Sequence, residues 1–164
     1  MASGVIVDDG VVTAYNEIKV HHAGEVVGDR YKLVMFRLSD DDKSIIVDEE
    51  NSVRMKDIEG EGEVFKRLIE KFPLNDCRYA LYDCCYRNKD TEKADLVFIM
   101  WAPDEASLKK KMLYASSKGA LRKKLQGLKI EWQVNDLSDA KDSSALIEKL
   151  GSRGSIKELE GKTV

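Results

Sequence analysis

The sequence predicts an α/β (α+β) fold: one central mixed β-sheet flanked by helices, in a single domain over residues 1–164 with a flexible tail at about 1–8. Three observations point there. Strand-like and helix-like stretches mix along the chain without the strict alternation of a parallel βαβ fold. Leu96 to Ala102 is a near-continuous apolar run, and its first six residues read as a central strand buried on both faces. A long amphipathic stretch follows almost directly, from about Asp104 to Leu125.

Taken in order, Val11 to Val20 reads as a first helix, because Val11, Ala14, Tyr15 and Ile18 recur at i, i+3, i+4 and i+7. His21 to Asp29 reads as a loop. Tyr31 to Leu38, the polar turn Ser39 to Lys43, and Ser44 to Asp48 make a hairpin. Val64, Leu68, Ile69 and Phe72 mark a second helix, stopped before Pro73. Cys77 to Tyr86 is a strand rich in Tyr and Cys. The long helix is expected to start at the acidic pair Asp104-Glu105, just after Pro103. Ile130 to Val134 is a further strand. Leu137 to Leu150 reads as one last helix, ended by Gly151.

The long helix carries a conflict in its pattern. Leu108, Met112, Ala115 and Gly119 fall on one stripe, while Tyr114, Leu121 and Leu125 fall on another. Either the helix bends near Gly119, or its first half meets something other than the domain's own core. Lys111, Lys118 and Arg122 align beside the first stripe as a basic ridge, which fits either a core helix with a solvated basic face or a helix that docks into a partner's groove.

Composition bounds the function. With 27 basic and 30 acidic residues the net charge is −3, so nothing global steers the chain to nucleic acid. The longest apolar run is far short of the roughly 20 residues of a membrane span. Three cysteines, Cys77, Cys84 and Cys85, read as free thiols in a reducing, cytosolic compartment. Neither a GxGxxG nor a GxxxxGK[ST] loop occurs, and Gly60-Glu61-Gly62 has acidic neighbours that would repel phosphate. His21-His22 lacks partners at metal-ligand or triad spacing, and Asp40-Asp41-Asp42 lacks a calcium-loop pattern. An enzyme reading has no constellation to stand on, and no cofactor is implied.

Longer segments carry a resemblance. MASGV at the N-terminus, LNDCRYALYD at 74–83, DLVFIMWAP at 95–103, LKKKMLYASSKGALRKKL at 108–125, EWQVN at 131–135 and LEGK at 159–162 resemble the cofilin/actin-depolymerising-factor family, in its vertebrate cofilin-like form. The match runs through nearly the whole chain in order. It implies the actin-depolymerising-factor homology fold and an actin-binding protein that prefers ADP-actin and severs or depolymerises filaments without covalent chemistry.

The same resemblance implies the sites. A monomer-binding surface would comprise Ser3, Gly4, Val5, Lys109, Lys111 and Met112. A filament-binding surface would comprise Lys93, Asp95, Glu148 and Lys149. Ser3 would be phosphorylated by LIM-type kinases and restored by a phosphatase, with acetylation at Ala2 after Met removal. Lys109, Lys111 and Lys129 would meet phosphoinositide headgroups. Two departures stand out. Gly28-Asp29-Arg30-Tyr31-Lys32 replaces a basic run read as a nuclear-import signal, and Ile130 replaces a titratable His found in some relatives. The expected place of action is the cytoplasmic actin cytoskeleton. The alternatives within binding proteins are a monomer sequesterer and a phosphoinositide-binding relative without severing activity.

Overall fold

The computed structural model describes residues 4–19, 27–58, 63–89, 91–150, 156–160 and 162–163. Those residues form a nine-stranded sheet with helices on both faces. The strands are β1 (Ile6–Val7), β2 (Tyr31–Leu38), β3 (Ser44–Val47), β4 (Val53–Arg54), β5 (Arg78–Asn88), β6 (Glu92–Trp101), β7 (Ile130–Val134), β8 (Ile156–Leu159) and β9 (Lys162–Thr163). The main order is β1-β3-β2-β5-β6-β7, with β4 on β2, β8 on β5 and β9 on β8. Only β1/β3 and β6/β7 pair in parallel, so the sheet is mixed, as the pattern predicts.

The two longest strands organise it. β5 and β6 pair from Arg78↔Trp101 to Arg87↔Glu92. The apolar run of β6 is divided between two cores. Val97, Ile99 and Trp101 face one cluster with Trp132, Ala140, Leu146 and Leu150. Phe98 and Met100 face the other, with Val11, Ile18, Tyr114 and Leu121. Period-two alternation inside a continuous apolar run is what a strand covered on both faces requires.

The helices are α1 (Asp9–Lys19), α2 (Val64–Ile69), α3 (Leu108–Lys124), α4 (Leu137–Lys141) and α5 (Ser144–Leu150). α1 and α3 contribute side chains to the second core, while α2, α4 and α5 cover the first. Val11, Ala14, Tyr15 and Ile18 are the buried face of α1, as their spacing predicts. The hairpin of β2 and β3 forms as expected, with Phe36 opposite Val47 and Leu38 opposite Ile45. Its acidic turn is braced from within by Asp41. Asp41 accepts from the Ser39 hydroxyl at 2.6 Å and the Lys43 amide at 3.1 Å, which holds its carboxyl below the usual range.

Four expectations need correction. α3 begins at Leu108, because Ser107 takes extended backbone and its hydroxyl accepts from the Lys110 amide at 3.2 Å. A side-chain cap satisfies an orphan N–H directly, whereas Asp104-Glu105 sit in a turn closed by Ala106 N to Pro103 O at 3.0 Å. The last helix is two. Asp142 leaves the helical region at φ −84°, ψ 101° and accepts from the Ser144 amide at 3.0 Å, restarting the chain as α5. The sheet reaches back into the expected tail, for Ile6 and Val7 pair with Ser44 and Ile45. Phe72 lies past the end of α2 but is still buried against Trp101, ring centres 5.4 Å apart. His21, His22, residues 60–62 and Gly151 lie outside the described residues.

The cysteines are free, and the adjacent pair splits across the sheet: Cys84 is buried and Cys85 exposed. Burial, with Asp76 nearby, pushes the Cys77 thiol up to about 11, and burial raises Cys84 further. Both are held as inert thiols by their surroundings.

Candidate binding surfaces

α3 resolves the conflict in its own sequence pattern. Tyr114, Ser117 and Leu121 are its buried residues. Tyr114 ties the helix to the sheet at two points: its hydroxyl oxygen accepts from the Leu38 amide at 2.9 Å, and its carbonyl accepts from the Tyr79 hydroxyl. Leu108, Met112, Ala115 and Gly119 form the opposite, exposed stripe. Leu108 is 71% exposed and Met112 64%, two of the four large apolar side chains left in water among the described residues. The first half of α3 therefore presents apolar surface that its own domain does not use. Over the twelve residues from Leu108 to Gly119 the stripe is about 16 Å long.

The N-terminal segment lies beside it. β1 packs against α3. Val5 and Leu113 both pack against the second core, while Ile6 is 68% exposed. Gly4 is exposed and takes φ +80°, a turn that a larger residue would enter only with strain. Gly4 and Val5 thus lead into a strand that packs on α3, the helix that carries Lys109, Lys111 and Met112. Ser3, with Ala2, falls outside the described residues. Leu108 on α3 and Ile6 on β1 are further exposed apolar side chains that the predicted set did not include. Leu108 was legible from the stripe, whereas Ile6 carries no periodic signal of its own.

The cations divide unequally. Lys109 is exposed and Lys111 half-buried, its ammonium donating to the Asp104 carbonyl at 3.3 Å. Lys110 pairs with Asp42 at 2.7 Å, fastening the start of α3 to the hairpin turn. The expected basic ridge is interrupted, because Lys118 and Arg122 both pair with Glu131 of β7, at 3.2 and 3.4 Å. A ridge read from one helix omits the carboxylate that a neighbouring strand supplies. Lys129 is exposed just before β7. Lys19, Lys123 and Lys124 line a separate groove between α1 and the end of α3, a cluster that sequence reading did not join.

The second set of predicted residues sits on the other core's side. Lys93 and Asp95 alternate in register with Val97 and Ile99, so they point to the face covered by α4 and α5. Lys93 is exposed opposite Tyr86. Asp95 is half-buried and accepts a hydrogen bond from the Tyr86 hydroxyl, so part of its charge is spent inside the domain. Burial, with that carboxylate beside it, raises the Tyr86 phenol. On α5, Leu146 and Leu150 anchor the helix while Glu148 and Lys149 face solvent.

The segment at 28–32 is not a free basic run. Arg30 lies 3.6 Å from the Asp83 carboxylate, and Lys32 is buried against Glu160 at 2.7 Å. Ile130 is half-buried against the first core.

Comparison with known proteins agrees with this architecture. The family model of cofilin/tropomyosin-type actin-binding proteins matches residues 4–151. A cofilin from Streptomyces griseoflavus is 31% identical, with a TM-score of 0.71 over 92% of this chain and 99% of that one. An ADF-like protein of Caenorhabditis elegans is 29% identical, with a TM-score of 0.68 over 94% of this chain and 99% of that one. Actin depolymerization factor 2 from Plasmodium berghei has a TM-score of 0.75 at 24% identity, covering 92% of this chain and all of its own, a likeness of fold. With nearly the whole domain matched, and with apolar surface left open on α3 beside an anchored N-terminal segment, the chain belongs to the cofilin/actin-depolymerising-factor family of actin-binding proteins.

Proposed function

We propose that this protein binds monomeric and filamentous actin in the cytoplasm, prefers ADP-bound subunits, and severs and depolymerises filaments. The carrying observation is the exposed Leu108 and Met112 beside β1. A soluble domain gains nothing by leaving two large apolar side chains on one helix face, unless a partner covers them. Methionine's flexible thioether suits a groove whose shape changes with nucleotide state, and Lys109 adds a cation that acidic actin surface would attract. In this vertebrate cofilin-like reading, Lys93, Asp95, Glu148 and Lys149 meet a second subunit along the filament. Preference for one filament twist then shifts the population toward it, and boundaries between decorated and bare stretches break.

Co-sedimentation with filaments, combined with fluorescence titration of monomers, tests this reading. The protein is expected to pellet with filaments and to shorten them under the microscope. Monomer binding without pelleting would make it a sequesterer. Vesicle binding without actin binding would make it a phosphoinositide protein instead.

Regulation is part of the proposal. A phosphate on Ser3, placed by LIM-type kinases and removed by a phosphatase, adds about −1.5 to −2 charges to the residue that precedes Gly4. Stoichiometric phosphorylation is expected to weaken monomer affinity about tenfold or more, about 1.4 kcal/mol. Equal affinities of modified and unmodified protein would sink it. Phosphoinositide headgroups would compete through Lys109, Lys111 and Lys129, with the Lys19, Lys123 and Lys124 groove as a further anionic contact.

A further inference from the structure

The outer half of the β5–β6 hairpin has little sheet around it. β2 pairs with β5 only over Tyr79 to Tyr82, and β7 pairs with β6 only over Val97 to Trp101. Beyond those limits the hairpin runs on to Asn88 and Glu92, carrying Lys93. A two-stranded ribbon alone is marginally stable in water. Among the described residues one further strand supports it: β8, which pairs with Tyr86, Arg87 and Asn88. Since β6 occupies one whole edge of β5, β8 lies on the same edge as β2, end to end with it.

The chain leaving β8 is fastened there by charge. Glu160 adopts φ +52°, a left-handed conformation uncommon for a residue of its size. In that turn its amide donates to the Cys85 carbonyl at 2.8 Å. Its carboxylate accepts from the Cys85 amide and from the Lys32 ammonium, each at 2.7 Å. The Lys32 and Glu160 side chains are 3% and 5% exposed. The ammonium also lies 3.5 Å from the Cys85 sulfur and 5.5 Å from the centre of the Tyr82 ring. Burial pulls the Lys32 pKa down, but Glu160 outweighs it and raises it overall, which favours the charged form. The start of β2, the middle of β5 and the end of β8 meet at this one pair, while Ile156 and Leu159 bury in the first core.

We propose that Lys32 and Glu160 are positioning residues: their ion pair latches β8 along β5 and so fixes the hairpin tip that presents Lys93 to the filament. The inference rests on the filament reading given above for Lys93. Arg87 and Glu158, 3.9 Å apart across the β5–β8 ladder, border the same groove as Lys93, so displacement of β8 removes one wall of that surface. The contacts of the pair are on β2, β5 and the end of β8 and none is on α3, so the α3 face does not depend on the latch.

A double-mutant cycle tests this on the full chain: Glu160→Gln, Lys32→Met, and both together. Each single change leaves one buried polar group without its charge partner, whereas the double change removes both charges and keeps the shape. Amide hydrogen exchange is expected to quicken at least tenfold over residues 85–88 in each single variant, with residues 97–101 unchanged. Filament affinity should fall at least fivefold while monomer affinity stays within twofold. The double variant should lose no more than either single one. Unchanged exchange at 85–88, additive losses, or equal losses of monomer and filament affinity would each overturn the latch. Faster exchange with undiminished filament affinity would overturn its positioning role. Failure of the wild-type protein to bind filaments would count against the filament reading, while the exchange measurements still report on the latch.

Discussion

Replacing Leu108 and Met112 together by aspartate is expected to abolish measurable actin binding while the domain stays folded. The two side chains are 71% and 64% exposed, so little native packing is lost. Aspartate is a poorer helix former than leucine or methionine by roughly half a kcal/mol per site. Part of that is returned at position 108, in the first turn of α3, where a carboxylate faces the positive end of the helix. Stability should therefore change by about 1 kcal/mol or less. Binding should change far more. Covering a leucine or methionine side chain contributes roughly 1.5–3 kcal/mol each, and the replacements oblige a docked partner to desolvate two carboxylates. A loss of at least about a hundredfold in affinity, some 2.7 kcal/mol, follows from the apolar contribution alone. Titration of labelled monomers, with a thermal melt as control, reads both quantities. Unchanged affinity in a folded variant would show that actin does not use this face.

The features legible in the sequence are those in which periodicity and burial agree. The face of α1, the hairpin of β2 and β3, and the two-sided burial of β6 all follow from spacing alone. α3 was legible in a different way. Its two stripes contradicted each other as a core helix, which left either a bend near Gly119 or a first half turned away from the core, and the exposure of Leu108 and Met112 is the second of these. The missed features are short or depend on partners far away in sequence. β8 and β9 are four and two residues long and become strands only because β5 offers an edge to β8, and β8 one to β9. Charge patterns read along one helix missed Glu131, which neutralises Lys118 and Arg122 from a neighbouring strand. The Lys32–Glu160 pair joins residues 128 apart, and nothing local to either marks it as buried. Asp95 reads as a surface charge until the fold places the Tyr86 hydroxyl against it. Short-range competition decided the boundaries: Ser107 and Asp142 each offered the backbone a side-chain oxygen, and the chain took it in preference to the smoother helix that the apolar pattern alone describes.

Charge reversal at Lys93 and Glu148 together should spare monomer binding and abolish severing. Both side chains are exposed, and neither belongs to a core cluster, so Lys93→Glu with Glu148→Lys should leave the melting temperature within a few degrees of wild type. The expected separation is geometric. Leu108, Met112 and the N-terminal segment lie with the core that α1 and α3 cover, whereas Lys93 and Glu148 lie with the core that α4 and α5 cover. On the two-surface reading proposed above, a free monomer offers only the first contact. A filament offers both at once, and the second then acts at high effective concentration, so its loss is multiplied rather than added. Reversal also converts two attractions into two repulsions, which a neutral substitution would not do. Asp95 is left untouched because its bond with Tyr86 would confound stability with binding. Monomer affinity by fluorescence titration should stay within about twofold, or 0.4 kcal/mol, while severing events counted on single filaments at the same salt concentration should fall to background. Equal losses in both measurements would mean that these residues serve the monomer contact as well. Intact severing would reduce Lys93 and Glu148 to solvated charges and move the filament contact to another part of the surface.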